Sequence, residues 1–420
     1  MSKCSGDKQV KAKNCDPCSP PSVDCCSSAV TTEQNDSPTL WFENMIDNCY
    51  DYAIDAKSNS RPIVGIMCEY APRELIMAAG GVPVCLCGGS AKTIPAAEDY
   101  LPANLCPLIK STFGYHITKT NPFLEMADLV VAETTCDGKK KMFELMAETK
   151  AVHLMELPQK QDDSEAFEHW VTEIHKLKAE LETRFDVQIT PEKIREASRI
   201  MNRERNLRRG LAGLMKADAP PLTGRQLLNF KSIISGIPTD LEKYEEAAEI
   251  LRSHSRNGDM SSRVRVLLTG VPVVHGAERV VDIIEESGGL IVCMENCTGL
   301  KPILEDVDLN AADPIRALAK KYFHIHCAVM TRNTRRIDYL RALTAEYRAE
   351  CVIDLVWQAC VTYDIESYQV RRLAEQELHV PYLRIETDYS PSDSARIAVR
   401  VEALFETLRS SYRTGQPCRK

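Results

Sequence analysis

Residues 61–87, RPIVGIMCEYAPRELIMAAGGVPVCLC, place a strand, a helix and a second strand within one short stretch of chain. The apolar runs RPIVGIMC (61–68) and GVPVCLC (81–87) flank PRELIMAAG (72–80), which is rich in helix-forming residues and ends in glycine. A strand, a helix and a strand in this order predict two parallel strands joined by a crossover helix. The stretch therefore predicts an α/β fold in which helices cover a parallel sheet.

The same alternation continues toward the C-terminus. It extends through the apolar run DLVVAETT (128–135), the helical pattern KKKMFELMAET (139–149) and the apolar run AVHLMEL (151–157). A second alternating block follows after residue 260. Its predicted strands are VRVLLTG (264–270), LIVCMEN (290–296), FHIHCAVM (323–330), CVIDLVW (351–357) and PYLRIETD (381–388).

The chain between the two blocks has only helical patterns, with Thr190-Pro191 and Thr223 as helix starts. We therefore predict two parallel-sheet, flavodoxin-like three-layer α/β domains joined by a helical segment. The predicted boundaries are a Cys/Ser/Pro-rich flexible tail at 1–38, a first α/β domain at 39–160, the helical segment at 161–260, a second α/β domain at 261–413 and a short tail at 414–420.

The composition is that of an ordinary globular protein, with 44% hydrophobic and 27% charged residues among 420. No apolar run approaches the roughly 18 residues that a membrane-spanning helix requires, and the first residues lack an apolar signal region. The formal net charge of −8 argues against a nucleic-acid-binding surface, because phosphate binding relies on clustered Lys and Arg. We therefore expect a cytoplasmic protein whose 17 cysteines are thiols or metal ligands rather than disulfides.

Seven cysteines fall at or just beyond predicted strand ends or at a helix start. They are Cys68, Cys87, Cys106 and Cys136 in the first domain, and Cys297, Cys327 and Cys360 in the second. Ligands of open parallel sheets bind beyond the carboxyl ends of the strands, so we predict one thiol-lined site in the cleft between the domains. Five other cysteines are predicted to be structural: Cys49, Cys85, Cys293, Cys351 and Cys418.

The scattered spacing of these cysteines favours an iron–sulfur centre over zinc, because compact zinc sites usually show paired Cys-x-x-Cys or His motifs. The pair Cys15 and Cys18 is a weaker candidate for an auxiliary metal or redox site, and His324 and His326 are expected to be packing residues. Several carboxylates near strand ends are possible proton donors, with none singled out: Glu69, Glu133, Asp137, Glu295, Glu386 and Asp388.

Two nucleotide-binding motifs do not occur where they would be functional. CGGSAKT (87–93) lacks the glycine that a phosphate-binding loop needs before its lysine, and no G-x-G-x-x-G follows a predicted strand. We therefore do not expect the chain itself to hydrolyse ATP or bind a dinucleotide.

Six segments, taken in order, carry a family resemblance. They are IMCEYAPRELIMAAGGVPVCLCG (66–88), NLCPLIKSTFGY (104–115), ETTCDGKKK (133–141), MENCTG (294–299), CVIDLVWQACVTY (351–363) and PYLRIETDYS (381–390). Together they resemble the 2-hydroxyacyl-CoA dehydratase and benzoyl-CoA reductase superfamily, and within it most closely the double-cubane cluster proteins. The resemblance runs from about residue 40 to 410.

The resemblance implies a cofactor and its ligands. Ordinary members of the superfamily hold one [4Fe–4S] cluster with three cysteines, whereas double-cubane proteins add three more and hold two bridged cubanes, an [8Fe–9S] centre. The first set matches Cys106, Cys136 and Cys360, and the additional set matches Cys68, Cys297 and Cys327. How the trios are assigned to the two cubanes stays open, and Cys87 is either a buried neighbour or a substitute ligand.

The resemblance also implies partners and three alternative functions. It implies a homodimer that receives low-potential electrons from a separate homodimeric activator ATPase with its own [4Fe–4S] cluster. The first function is an iron–sulfur reductase that reduces a small-molecule substrate at the double cubane. The alternatives are a 2-hydroxyacyl-CoA dehydratase subunit with a single [4Fe–4S] cluster, and a non-catalytic iron–sulfur assembly or storage protein.

Overall fold

The computed structural model describes residues 38–253 and 260–414. The predicted tails are 1–38 and 414–420. Apart from residues 38 and 414, they lie outside the described residues. Cys15, Cys18 and Cys418 therefore also lie outside them. Within the described part, no helix combines the length and the apolar character needed to cross a membrane.

The first domain contains a four-stranded parallel sheet. Its strands are β1 (Ile63–Ile66), β2 (Val82–Cys85), β3 (Leu129–Glu133) and β4 (Val152–Met155), in the spatial order β2-β1-β3-β4. The central strands β1 and β3 are buried along their whole length, whereas the edge strand β4 is mostly half-buried. This explains why the inner strands read as continuous apolar runs, as strands covered on both faces usually do.

The second domain repeats this architecture. Its strands are β5 (Val264–Gly270), β6 (Gly289–Glu295), β7 (Cys351–Trp357) and β8 (Tyr382–Thr387), all parallel, in the order β6-β5-β7-β8. Both sheets therefore have the 2-1-3-4 order of flavodoxin-like folds, in which the switch point lies between the first and third strands. The prediction of two flavodoxin-like parallel-sheet domains is confirmed.

Helices cover both sheets and form the connection between them. In the first domain they are α1 (Pro38–Glu43), α2 (Met45–Ser58), α3 (Arg73–Ala78), α4 (Ile94–Ala97), α5 (Pro107–Thr118), α6 (Pro122–Met126) and α7 (Asp137–Met146). The connecting helices are α8 (Ser164–Phe185), α9 (Pro191–Gly213), α10 (Gly224–Asn229) and α11 (Pro238–Ser253). The second domain has α12 (Arg279–Glu286), α13 (Pro314–Phe323), α14 (Thr334–Glu346), α15 (Val361–Arg372) and α16 (Ser394–Thr414).

The connecting helices begin where the sequence predicts. The hydroxyl of Thr190 accepts a hydrogen bond from the amide of Lys193, and Thr223 forms a capping box with Gln226 at the start of α10. Helix α9 packs against α3 of the first domain and α13 of the second, so the connecting segment contacts both domains.

The predicted strand at 323–330 is wrong. Phe323 ends α13, and the residues that follow form turns in which the amide of Cys327 donates to the carbonyl of Ile325 and that of Met330 donates to the carbonyl of Cys327. These local bonds use the amides that a strand would need for its ladder. Cys327 therefore lies in the loop between α13 and α14, and Cys360 follows the third strand of the second sheet rather than a fourth.

Candidate functional site

Both sheets open onto one cavity of about 1390 Å³ beyond the carboxyl ends of their strands. The six predicted cluster ligands all line it: Cys68, Cys106, Cys136, Cys297, Cys327 and Cys360. In the part of the chain that the structure describes, all eleven cysteines are free thiols. Three of the six lining thiols come from each domain, so the cavity is a shared interdomain site.

Two further thiols, Cys85 and Cys87, also line the cavity. The thiol of Cys87 donates to the carbonyl of Met67 at 3.1 Å, and Nη2 of Arg73 approaches Sγ of Cys85 at 3.5 Å. Cys85 is predicted to be structural, and the structure places it within a strand, as the last residue of β2, where it also lines the cavity. Strand β2 ends at Cys85, two residues before its apolar run ends, and this places Cys85 at the open edge of the sheet.

Three of the predicted ligands immediately precede helices. Cys106, Cys136 and Cys360 occupy the positions before α5, α7 and α15. The first amides of a helix have no partner within the helix, and its N-terminus carries partial positive charge. A helix start therefore favours the thiolate, the form that binds metal.

These same residues form a first trio, Cys106, Cys136 and Cys360. The side chains of Cys106 and Cys360 are hydrogen-bonded to each other, which lowers the pKa of Cys106 and raises that of Cys360. Cys136 raises the pKa of Cys360 further. Burial raises the pKa of Cys136 itself, although its bond with the amide of Lys139 opposes this.

The remaining predicted ligands form a second trio, Cys68, Cys297 and Cys327. Burial raises the pKa of Cys68, and the thiolates of Cys297 and Cys327 raise it further. Burial raises the pKa of Cys297 to about 12, with Cys327 adding to the shift. Cys327 also acts on Cys136 of the first trio, so the two trios adjoin in one cavity.

Two lysines place positive charge beside these thiols. Nζ of Lys139 donates to the carbonyl of Met67 at 2.9 Å, and the neighbouring thiolates, Cys68 foremost, raise its pKa despite burial. Nζ of Lys231 donates to the carbonyl of Cys297 at 3.0 Å. Both cations offset negative charge that thiolates bring into a buried site.

Buried carboxylates near the cavity differ in their protonation. Burial opposes ionisation of Glu69, but Arg73 at 2.6 Å and Lys231 at 3.2 Å lower its pKa to about 2. Glu133 is fully buried, and neither of its carboxyl oxygens has a hydrogen-bond partner. Burial raises the pKa of Glu133 to about 8, although Lys139 lowers it. Glu133 therefore holds a proton at neutral pH, whereas Glu69 does not.

The other predicted proton donors do not share these properties. Asp137 is almost fully exposed, and Glu386 is exposed and paired with Arg384 at 2.7 Å. Glu295 is buried but ionised, because Lys301 and Arg336 overcome burial and lower its pKa. Asp388 is half-buried. Glu133 is the fully buried candidate whose pKa burial raises.

The histidines of HIHC contact carboxylates rather than the cavity. Nε2 of His326 lies 2.9 Å from Oε1 of Glu295, and Nδ1 of His324 lies 3.5 Å from Glu305. Glu295 also lies 3.3 Å from Nζ of Lys301. Sequence reasoning missed this buried network, because no local pattern connects residues that lie 6 to 41 positions apart.

The arrangement does not suit a single metal ion. Across residues 38–253 and 260–414, no three Cys, His, Asp or Glu side chains converge on one point that could hold an ion. A tetrahedral zinc site needs such convergence, with each sulfur about 2.3 Å from the metal. Each thiolate of an iron–sulfur cluster instead binds a different iron, so its ligands need not converge on one point.

The protein has two parallel α/β domains, and their strand ends converge on a cavity lined by thiols. These features define a class of cysteine-rich, two-domain α/β proteins. Residues 68–408, which include the connecting helices and every strand of the two sheets except β1, match the model of one family, described as 2-hydroxyglutaryl-CoA dehydratase, D-component. The chain belongs to this family.

Named relatives agree with the family assignment. The chain is 40% identical over 362 residues to a protein of Escherichia coli (strain K12) named "Putative dehydratase subunit YjiM", covering 84% of this chain and 94% of that one. It is 26% identical over 353 residues to the beta subunit of lactoyl-CoA dehydratase of Anaerotignum propionicum, covering 82% and 91%. It is 23% identical over 336 residues to a subunit of the benzoyl-CoA reductase of Thauera aromatica, covering 77% and 85%. The chain is therefore a component of the dehydratase and reductase type.

Proposed function

We propose that the protein is an iron–sulfur reductase that receives low-potential electrons from an ATP-hydrolysing activator protein and reduces a small substrate at an [8Fe–9S] double-cubane cluster. The observation that carries the proposal is the pair of adjoining thiol trios in one cavity. Six thiols match the three ligands that each of two bridged cubanes needs. A single [4Fe–4S] cluster would leave one trio without a role.

Each trio would hold one cubane, the first with Cys106, Cys136 and Cys360, the second with Cys68, Cys297 and Cys327. When bound, the cluster supplies low-potential single electrons to a substrate in the cavity. The chain's own groups have separate tasks. Lys139 and Lys231 offset the charge of the thiolates, and Glu133 holds a proton that can follow an electron.

The proposed electron donor is a homodimeric ATPase with its own [4Fe–4S] cluster. Thiolate-rich clusters have low reduction potentials, so ordinary donors reduce them poorly. The chain lacks a phosphate-binding loop in its sequence, and this supports a separate protein as the site of ATP hydrolysis. In this proposal the reductase works as a cytoplasmic homodimer that meets the activator transiently.

A dehydratase subunit with a single [4Fe–4S] cluster is the second candidate. The names of the relatives favour it, since two of them are dehydratase subunits by name. A storage or assembly protein is less consistent with the site. Transfer of a cluster to another protein needs exposed ligands, whereas these thiols are buried or half-buried and divided between two domains.

The test is iron and acid-labile sulfide analysis with EPR spectroscopy on anaerobically purified protein. We expect about eight irons per chain for a double cubane, against about four for a single cubane. A Cys49→Ser control should keep the native iron content, because Cys49 is a buried thiol that contacts Ser232 outside the cavity. About four irons per chain would favour the dehydratase subunit. Bound zinc without acid-labile sulfide would contradict both the reductase and the dehydratase proposals.

A further inference from the structure

Tyr363 places a hydroxyl group against one thiol of the second trio. It lies on α15, lines the cavity and is only 6% exposed. Its Oη is 3.8 Å from Sγ of Cys327, within reach of a hydrogen bond that involves sulfur. The phenol is therefore in contact with a predicted cluster ligand.

A buried lysine sets the direction of this hydrogen bond. Nζ of Lys301 lies 3.1 Å from Oη of Tyr363, and an ammonium group can only donate. The tyrosine oxygen therefore accepts from Lys301, and its own proton is free for Cys327. A thiolate bound to iron carries no proton, so Tyr363 is the donor in that contact.

The lysine is itself fixed in place. Its side chain has no exposed surface, and Nζ lies 3.3 Å from Oε1 of Glu295, which is also buried and contacts His326. Lys301 and Arg336 lie over the ring of Tyr363, at 5.3 and 5.0 Å from its centroid. These contacts hold the ring and limit the directions in which its hydroxyl can point.

The backbone of Cys327 is also held in place. Nδ2 of Asn333 donates to the carbonyl of Cys327 at 2.9 Å and to Oε1 of Glu366 at 2.7 Å.

We propose that Tyr363 is a positioning residue that donates a hydrogen bond to Sγ of Cys327 and, together with Lys301, raises the reduction potential of a cluster held by the second trio. Reduction adds negative charge to the cluster and its sulfur ligands, and a donor aimed at a sulfur stabilises the reduced state.

The inference rests on the proposed function, because it requires a cluster on the second trio. Tyr363→Phe removes the hydroxyl and keeps the ring, while Glu295 still pairs with Lys301. We expect the iron content of this variant to be unchanged. We expect its cluster to be about tenfold less favourable to reduce, which lowers the reduction potential by about 59 mV for a one-electron couple. The measurement is an EPR-monitored redox titration.

Tyr382→Phe is the matched control. It also removes a tyrosine hydroxyl from the second domain, but that hydroxyl donates to Asp354 at 3.0 Å and does not line the cavity. The control should keep the native potential. An equal shift in both variants would mean that loss of a hydroxyl loosens the domain, and it would overturn the inference.

A second measurement detects the hydrogen bond itself. After exchange into D₂O, electron–nuclear double resonance should show a deuteron coupled to the cluster in the native protein and in Tyr382→Phe, and this coupling should be missing in Tyr363→Phe. A protein that binds no cluster would overturn the proposed function. A cluster whose potential and deuteron coupling are unchanged in Tyr363→Phe would overturn this inference alone.

Discussion

Two buried glutamates beside the thiol cavity behave oppositely because their neighbours differ. Glu69 has two cations within 3.2 Å and is ionised, whereas Glu133 has no hydrogen-bond partner and keeps its proton up to about pH 8. Burial alone would raise the pKa of both groups. The number of close cations therefore decides which carboxyl group holds a proton at neutral pH.

Glu133→Gln should separate proton delivery from cluster binding. The amide has the shape of the neutral carboxyl group, so we expect native iron content, but it has no proton to give. Substrate reduction should fall by about 10²- to 10⁴-fold, the usual contribution of a positioned acid. Glu386→Gln, at an exposed carboxylate, is the control and should retain full turnover. Full turnover in both variants would show that Glu133 is not needed.

At the scale of elements, helix α15 connects the cavity with the surface. Cys360 precedes its first turn, and the buried face carries Tyr363. Three apolar side chains on its outer face are exposed, Val361 by 63%, Ile365 by 71% and Tyr368 by 65%. These positions are four and three residues apart, so they form one stripe. Because Val361 also lines the cavity, a protein bound to this stripe would lie close to the first trio.

Ile365→Lys should therefore weaken docking of the proposed activator. We expect at least a tenfold loss of ATP-dependent substrate reduction in the presence of an activator ATPase, with unchanged iron content. Val399→Lys, at an equally exposed apolar position on α16, should have no effect. If Ile365→Lys instead turned a dimer into a monomer and kept its turnover, the stripe would be an interface between copies of this chain.

The elements that the sequence predicts correctly are those with a local signal. Strand β7 is a run of seven buried residues between polar segments, and α10 starts at a capping box. The run FHIHCAVM has a comparable apolar pattern and is not a strand, because its amides bond within turns. The contact of Lys301 with Tyr363 spans 62 positions, and periodicity carries no information about such pairs.

The positions of the cavity thiols follow from topology more than from local pattern. Parallel strands bring their carboxyl ends to one edge, so residues that follow strands meet there whatever their spacing. This is why the thiols after β1, β3, β6 and β7 could be predicted to share a site. Local pattern does not divide these thiols into two sets of three, and the family resemblance supplied that division.

For the whole molecule, the important feature is that each trio joins the two domains. The first trio has two thiols from the first domain and one from the second domain. The second trio has one thiol from the first domain and two from the second domain. A cluster bound by either trio would therefore link the domains across the cavity. Ligands that bind only the folded arrangement stabilise it by mass action, so cluster binding and domain closure should be coupled.

Removing iron should consequently loosen the interdomain cavity. We expect the chelated protein to have a lower thermal midpoint and faster amide hydrogen exchange in the segments 66–70 and 295–299, which line or adjoin the cavity. Cys297→Ser should show an intermediate state, with about four of eight irons kept by the first trio. Its thermal midpoint should lie between those of the native and the chelated protein.

Cys49→Ser should keep the native iron content, because Cys49 packs against Ser232 outside the cavity. Native iron content in Cys297→Ser would show that the second trio does not bind a cluster, and the link between the domains would then depend on the first trio alone.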